Sequence, residues 1–501
     1  MTSTQLEYPC RWMLINAVVI LAATIPGAGF AADDPKLDSK AQQIAPTAFA
    51  GDKPKPVLNW GVGEGKSYLV PAFDIVGFDF LLNQYDRHFI DSETFGSNFS
   101  SFKKNLQGKW VYDTDPFATN QFLHPYQGSM YFGFARSAGL DYWRSLGYTL
   151  GGSLLWETAG ETDLPSINDQ FTTGFGGTFL GEPLFRMASL LLESGDGNPG
   201  FWRELGAAVL SPATGFNRWV FGQRFAGVFR SNDPAVYTRA QLGANLNATV
   251  HSNVNLNPNA NEVAVPQGYK RGEVIADFTI SYGLPGKPDY DYTRPFDYFH
   301  FQFTAAGSNV LENIMSHGLL YGTDYSVGGN YRGVWGLYGV YDYIAPQIFR
   351  ISTTAAALGT TAQWWLSKKI ALQGTVLAGV GYGSAGIVRS VGERDYHNGI
   401  TPNALMTSRL IFSDRTAFEM ELRDYYVSDK ASGESGGSEN IARAFIALTV
   451  RVLDLHGVTL KYTVSRRDAR YPSLPDTRQT VGAVSLGYTY LGQTRFGAVD
   501  W

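Results

Sequence analysis

Two periods divide the chain. Between Lys66 and Arg224 apolar residues recur three or four positions apart, and beyond Arg224 they recur at every second position. The first period opens with Leu69, Ala72, Phe73, Val76, Phe80 and Leu82, and Pro71 is tolerable there in a first helical turn. Asp115-Pro116, an N-cap followed by proline, predicts a second helix running to Ala138 with a kink at Pro125. Asp141 caps a third helix through Trp156. Ser166-Ile167-Asn168-Asp169 has the form of a capping box with Asp in place of Glu, and opens a fourth helix towards Leu192. Phe201 to Trp219 is helical again, so a helical domain is expected over 66–222.

In the second period Phe299, Phe301 and Phe303 alternate with His300 and Gln302, and Phe418, Met420 and Leu422 alternate with Glu419, Glu421 and Arg423. Ala444 to Val452 and Val458 to Val464 repeat the pattern, with Arg443, Arg451, Lys461 and Arg467 on the other face. A soluble sandwich would alternate too. The runs are often 11–15 residues long, however, against about 5–6 in ordinary sheets. Length and charged second faces favour an antiparallel transmembrane β-barrel with a polar interior over 223–501. Twelve strands are expected, near 237–249, 273–283, 296–307, 313–326, 331–343, 349–364, 370–383, 403–413, 416–428, 441–453, 457–467 and 479–491. Long polar connections at 250–272, 384–402, 429–440 and 468–478 follow odd strands, and tight turns at Ser413-Asp414-Arg415 and Asp454-Leu455-His456-Gly457 follow even ones. That asymmetry places the amino-terminal domain and the carboxyl terminus together in the periplasm, although the connection 284–295 breaks the rule. The fold class is therefore α+β, a periplasmic helical domain followed by a barrel of about 12 strands.

Composition adds an address. Residues 1–31 have Arg11, an apolar core from Met13 to Ile25, and small residues Gly29 and Ala31, which is the form of a secretory signal peptide. Residues 32–65 read as a flexible leader. The single cysteine, Cys10, falls in the signal, so the mature chain would have neither disulfides nor thiolate metal sites. The 56 glycines and 14% aromatics suit barrel strands with aromatic belts. A net charge of −5 offers no basic surface for nucleic acid. An outer-membrane location follows, with outer-membrane lipid and the barrel assembly machinery as partners. The barrel's charged faces carry both signs, so they either line a wet lumen or pair and close it. Mixed charge and about twelve strands argue against a wide, strongly ion-selective pore.

The chemistry concentrates between Asn120 and Glu182. His124, Glu157, Glu161 and Asp169 are the candidate catalytic residues. Asn120, Tyr126, Trp156, Asn168, Glu182 and Arg186 are the candidate binding residues. Glu157 and Glu161 share a face if the third helix continues past Trp156. Paired carboxylates near an imidazole can serve as general base and acid, or hold a divalent cation. The same residues also fit a buried structural network, with Asp169 capping its helix, Glu182 pairing with Arg186 and His124 donating to a carbonyl. No metal site or cofactor is assigned, and His-Glu-x-x-His, nucleophile-elbow and phosphate-loop motifs are absent. Gly147/Gly151 and Gly177/Gly181 have the spacing of close helix crossings.

The run Asn120…His124-Pro125-Tyr126, Gly152-Ser153-Leu154-Leu155-Trp156-Glu157, Glu161, Pro165 to Asp169 and Gly177…Gly181-Glu182…Arg186 resembles a bacterial envelope family defined by a domain of unknown function. Tyr341-Asp342-Tyr343 through Gln363-Trp364-Trp365 and Gly379-Val380-Gly381-Tyr382 extend the resemblance over most of the mature chain, and it implies no activity. A fainter similarity is to VanZ-like helical proteins, whose transmembrane hydrophobicity is missing here. Three functions are carried forward. They are binding or passage of an envelope component, lipid-like or a small solute; hydrolysis of lipid or cell-wall material through the His/carboxylate cluster; and structural docking in the envelope.

Overall fold

The computed structural model describes residues 57–113, 115–194, 199–252, 272–346, 348–387, 396–429, 436–472 and 476–501. The expected signal and most of the expected leader lie outside the described residues. From Leu58 the chain is already packed, because Leu58 is buried and its N–H donates to Arg224 O at 2.7 Å. Eight helices follow among the described residues: α1 Leu69–Phe89, α2 Phe99–Gln107, α3 His124–Ser137, α4 Tyr142–Leu155, α5 Ile167–Phe171, α6 Gly177–Glu193, α7 Gly200–Leu210 and α8 Pro212–Phe221. Three π-helical turns are spliced in, at Thr119–Leu123 before α3, at Trp156–Gly160 after α4, and at Thr172–Gly176 between α5 and α6.

Two of the starts are those the caps predict. The side chains of Asp141 and Ser166 accept from the backbone N–H of Arg144 and Asp169. The short α2 was not expected, although Phe99, Phe102 and Leu106 stand at helical spacing; a reciprocal Asn98/Ser101 capping box holds it. Phe201–Trp219 is broken into two helices at Ser211-Pro212. Gly177 and Gly181 make the expected close crossing. A Cβ on Gly128 of α3 would stand 1.9 Å from Thr173 O, and one on Gly177 would stand 2.6 Å from Gly128 Cα. Gly147 and Gly151 face open space, so the crossing expected there does not exist.

The strands are β1 Val236–Ser252, β2 Gly272–Tyr282, β3 Phe299–Ala306, β4 Asn313–Val327, β5 Tyr331–Ile344, β6 Phe349–Ser367, β7 Ile370–Ile387, β8 Tyr396–Phe412, β9 Thr416–Asp429, β10 Ser438–Leu453, β11 His456–Arg470 and β12 Thr477–Leu491. Each pairs antiparallel with its sequence neighbours, and β12 closes on β1. The α+β class and the twelve-stranded barrel are as expected. Several strands run further than their apolar period, into the expected loops. β8 begins at Tyr396 rather than 403, paired with β7 throughout, and its pairing with β9 lapses at Thr401 and Pro402, where proline has no N–H to give. The tight connections 328–330, 368–369, 413–415 and 454–455 lie at the end where β1 starts and β12 finishes. The long connection 283–298 lies at that end as well.

Inward and outward faces separate cleanly. Arg239 of β1 reaches Glu419 of β9, and Arg423 of β9 reaches Asp342 of β5 at 2.7 Å. Bonds between such distant strands can only cross the lumen. The alternate positions Leu448, Val450, Leu460 and Leu486 face outward and are 41–57% exposed, an apolar belt of the kind that meets lipid.

The helical domain packs against this outward face, not across the end of the barrel. On β5, Trp335 is exposed, whereas Gly339, Tyr341 and Tyr343 on the same face are covered by Phe179, Gln121 and Phe117. One apolar core is shared: Phe122, Phe132, Tyr142, Phe179 and Leu180 from the helices with Ile280, Phe299, Phe301, Ile314 and Tyr341 from the wall. Two prolines prepare the junction. Pro125 and Pro183 cannot donate to the carbonyls four residues back, which frees the oxygens of Gln121 and Phe179. Tyr341 Oη donates to Gln121 O at 2.7 Å, and Ser316 Oγ donates to Phe179 O at 3.1 Å. The barrel supplies the hydrogen bonds that the helices lack.

Candidate functional site

The three π turns converge. His124 follows the first, Glu157 lies within the second and Asp169 immediately precedes the third. Such turns are rare, and they reposition side chains that an unbroken helix would aim elsewhere. Glu157 and Glu161 therefore do not share a helical face as expected. α4 gives way to the π turn at Trp156, and Glu161 stands in extended backbone. They are brought together differently. The Ser166 N–H donates to Glu157 Oε2 at 2.8 Å, and Trp156 Nε1 donates to Glu161 Oε1 at 2.7 Å. His124 Nε2 stands 3.9 Å from Asp169 Oδ2. Asn168 Nδ2 donates to Asp169 Oδ1 at 2.9 Å, while its Oδ1 accepts from the Asp113 N–H at 2.8 Å.

The electrostatics are one-sided. Burial pushes the Glu161 carboxyl up to about 8; His124 opposes that shift and Asp169 adds to it. Glu157 and Asp169 are held well above the usual carboxylate range, first by burial and then by the neighbouring carboxylates. Such a cluster keeps protons that isolated acids would lose, so its carboxyls can donate hydrogen bonds at neutral pH. Asn120 Oδ1, Gln121 Nε2 and Thr173 Oγ1, on the first and third π turns, are buried without a partner. Among the described residues no group of three His, Cys, Asp or Glu side chains has the geometry of a metal site.

The candidate residues divide into two places. His124, Glu157, Glu161, Asp169, Asn120, Trp156 and Asn168 belong to the cluster. Tyr126 lies at its edge, 37% exposed and stacked on Phe122. Glu182 and Arg186 lie elsewhere. Glu182 is gripped by Arg136 at 2.7 Å and by Arg186 at 2.8 Å, and Arg186 reaches Asp297 at 3.0 Å. Together they form a buried ionic latch between α3, α6 and the β2–β3 connection, with no part in the cluster.

Sequence reading missed Asp113, Asn105 and Tyr396. Asn105 of α2 donates to Glu161 O at 3.0 Å. Asn120 Nδ2 donates to Asp113 Oδ2 at 3.0 Å and to Tyr396 Oη at 2.9 Å, and Tyr396 Oη donates to Asp115 O. Tyr396 opens β8, some 270 residues along the chain, and only the packing of the domain on the wall brings it here. The rim of the cluster is apolar: Trp110, Val111, Tyr112 and Ile167 are 36–42% exposed, and Val111 pairs with Ser166.

The lumen is a second polar region, and it is filled. Arg239 also binds Asp277 at 3.2 Å, Arg423 binds Glu421 at 2.8 Å, and Arg467 binds Glu439 at 2.6 Å. All of these groups are buried. Ser281 and His300 meet at 3.0 Å and His300 stacks on His317, a further cluster that sequence reading did not single out. The tail after β12 folds under the barrel. Gln363 donates to Val499 O at 2.6 Å, and Gln373 donates to Gly497 O at 2.7 Å. Of the two expected alternatives, the charges pair across the interior and close it.

Residues 109–213 match the family model described as a domain of unknown function (DUF3943). The stretch from Asn120 to Glu182 lies within that match, in keeping with the resemblance read from its motifs. No curated protein matches the chain. Among solved structures the chain is similar to the NanC porin, at 6% identity over 50% of this chain and 98% of that one, TM-score 0.26. It is also similar to the outer-membrane channel DcaP of Acinetobacter baumannii, at 8% identity over 51% and 96%, TM-score 0.23. The toluene transporter TodX of Pseudomonas putida matches at 8% identity over 52% and 90%, TM-score 0.21. Likeness at that level carries nothing about what this chain does.

Proposed function

We propose that this chain is an outer-membrane barrel that holds a lipid-like envelope component on its flank, at the cluster of the helical domain, and that it does not conduct solutes through its lumen. The observation that carries this reading is the contrast between the two polar regions. The lumen's charges are mutually neutralised and a tail covers one end. Both regions hold buried polar atoms without partners, but only the cluster is bordered by an exposed apolar, aromatic rim. Buried polar groups behind an apolar rim suit an amphiphile, with its head at the cluster and its chains along the rim. Neutral carboxyls and amides donate and accept hydrogen bonds without charge, which favours a hydroxyl-rich head over a bare anion.

The cluster lies where β6 and β8 begin, at the end of the barrel bearing the connections 388–395 and 430–437. With the tight turns in the periplasm, that end faces outward, so the outer leaflet is the source of the ligand. Native mass spectrometry of the detergent-purified protein tests the reading. An amphiphile should co-purify with the native chain and be lost from Asp169→Ala at equal folded yield. A chain that carries no adduct in several detergents would sink it.

Hydrolysis of such a component is the second reading, favoured by His124 standing 3.9 Å from Asp169 beside an acid held near pH 8. Turnover of envelope lipid that His124→Gln abolishes, with adduct binding retained, would establish it over simple binding.

A further inference from the structure

α1 is built inside out. Along its 21 residues the side chains turned away from the domain are apolar: Leu69 is 70% exposed, Phe73 72%, Val76 54% and Phe80 62%. The side turned inward carries Val70 and Ile75 in its first half and the polar Asp79 and Asn83 in its second, all buried. Inside the domain Asp79 Oδ1 accepts from the Tyr131 hydroxyl, and Asn83 donates to Gly160 O at 2.7 Å. A helix on the surface of a water-soluble domain shows the opposite arrangement, with its polar face outward. A contiguous exposed apolar face of this size marks a contact with protein or membrane.

The place of the domain decides which. Its contacts climb the outer wall from Phe296, in the connection beside the tight-turn end, where Tyr142 stacks, to Tyr396 at the opposite end, where Phe117 packs. On the uncovered strands the same outward face carries the exposed apolar belt. The helical domain thus stands where lipid would otherwise touch the wall, and its own outer side continues the belt. α1 would be about 31 Å long at helical rise, close to the roughly 30 Å of a hydrocarbon core. Among the described residues no helix is long and apolar enough to cross a membrane alone, and α1 does not stand alone, because the domain takes up its polar side. Trp202 and Trp219 are 72% and 84% exposed on α7 and α8, which lead into β1 at the tight-turn end. Exposed tryptophans at that height suit the membrane–water interface.

We infer that the helical domain lies within the bilayer beside the barrel, with the Leu69–Phe80 face of α1 in contact with lipid acyl chains, and not in the aqueous periplasm as its sequence had suggested. The inference rests on the reading of the barrel as membrane-spanning. It makes the domain a flank exposed to lipid diffusing in the membrane plane, so an amphiphile can reach the cluster without leaving the bilayer.

Single cysteines test it in a chain with Cys10 replaced. Val76→Cys on α1, Val450→Cys on the barrel belt and Gly436→Cys beside the β9–β10 connection would each carry an environment-sensitive fluorophore, in vesicles of phosphatidylcholine doped with spin-labelled phosphatidylcholine. The label at Val76 should be quenched by the spin-labelled lipid as strongly as that at Val450, and spared by aqueous iodide, which quenches the label at Gly436. Iodide quenching at Val76 with lipid quenching at Val450 would overturn the inference and leave the barrel standing. Protection of Val76 from both quenchers would overturn it in favour of a second copy or another protein on that face. Iodide quenching at Val450 would remove the membrane-spanning barrel itself.

Discussion

Glu161 takes its hydrogen bond from an indole N–H, with Asp169 near and no arginine or lysine acting on it. Its folded carboxyl is held at about 8, above the ordinary glutamate value of 4.5, so the folded state binds a proton that the unfolded state releases. The sign follows from that difference. The group's contribution to stability is complete below about pH 4.5 and is lost as pH rises through about 8. The slope between them is at most about 1.4 kcal/mol per pH unit. Glu161→Gln keeps the oxygen that accepts from Trp156 and removes the titration. Its thermal midpoint should match the parent near pH 5 and exceed it above pH 8; parallel midpoint–pH curves would contradict the assignment. At this scale the sequence was informative where partners are near in the chain, as with Asp169, Asn168 and Ser166. It misled where spacing alone was used. Glu157 and Glu161 looked like helical neighbours, and a π turn, which leaves no apolar signature, separated them.

Elements were legible by period, and their docking was not. Alternation found all twelve strands, and apolar period with caps found most helices, because these signals are local. Nothing local says that a proline inside a helix frees a carbonyl for a strand some 140 to 220 residues away, yet Pro183 with Ser316, and Pro125 with Tyr341, do this. Ser316→Ala and Tyr341→Phe each leave a buried carbonyl unpaired, at a cost of about 1–3 kcal/mol. Each should lower the unfolding midpoint of the helical domain while the barrel keeps its heat-modifiable migration; unchanged midpoints would show that those carbonyls find other partners. Glycines separate similarly. Gly128→Ala drives a methyl into Thr173 O and should cost about 1–3 kcal/mol or more by overpacking. Gly151→Ala meets open space and should gain about 0.5–1 kcal/mol of helix propensity. Denaturant midpoints moving in the same direction for both would refute the crossing.

For the whole molecule the question is whether a barrel of this size is open. Charges of both signs on the inward faces were evident from the sequence, but whether they pair depends on registers around a closed circle, and only the assembled barrel fixes it. In that barrel Arg239 reaches Glu419 and Arg423 reaches Asp342 across the interior. A lumenal cavity beside Arg239 and His300 has about 70 Å³ of room, enough for a few waters. Two barriers therefore lie in series, the tail beneath and the ionic network across the middle. Removing residues 493–501 should leave the barrel non-conducting in planar bilayers, because the network remains. Arg423→Ala alone strands Asp342 and Glu421 as buried charges, which costs about 3–5 kcal/mol and admits water only as far as the tail. The truncation combined with Arg239→Ala and Arg423→Ala should give steady conductance, favouring cations because the freed groups are carboxylates. Conductance from the intact chain would overturn both the closed lumen and the proposal that this protein works on its flank.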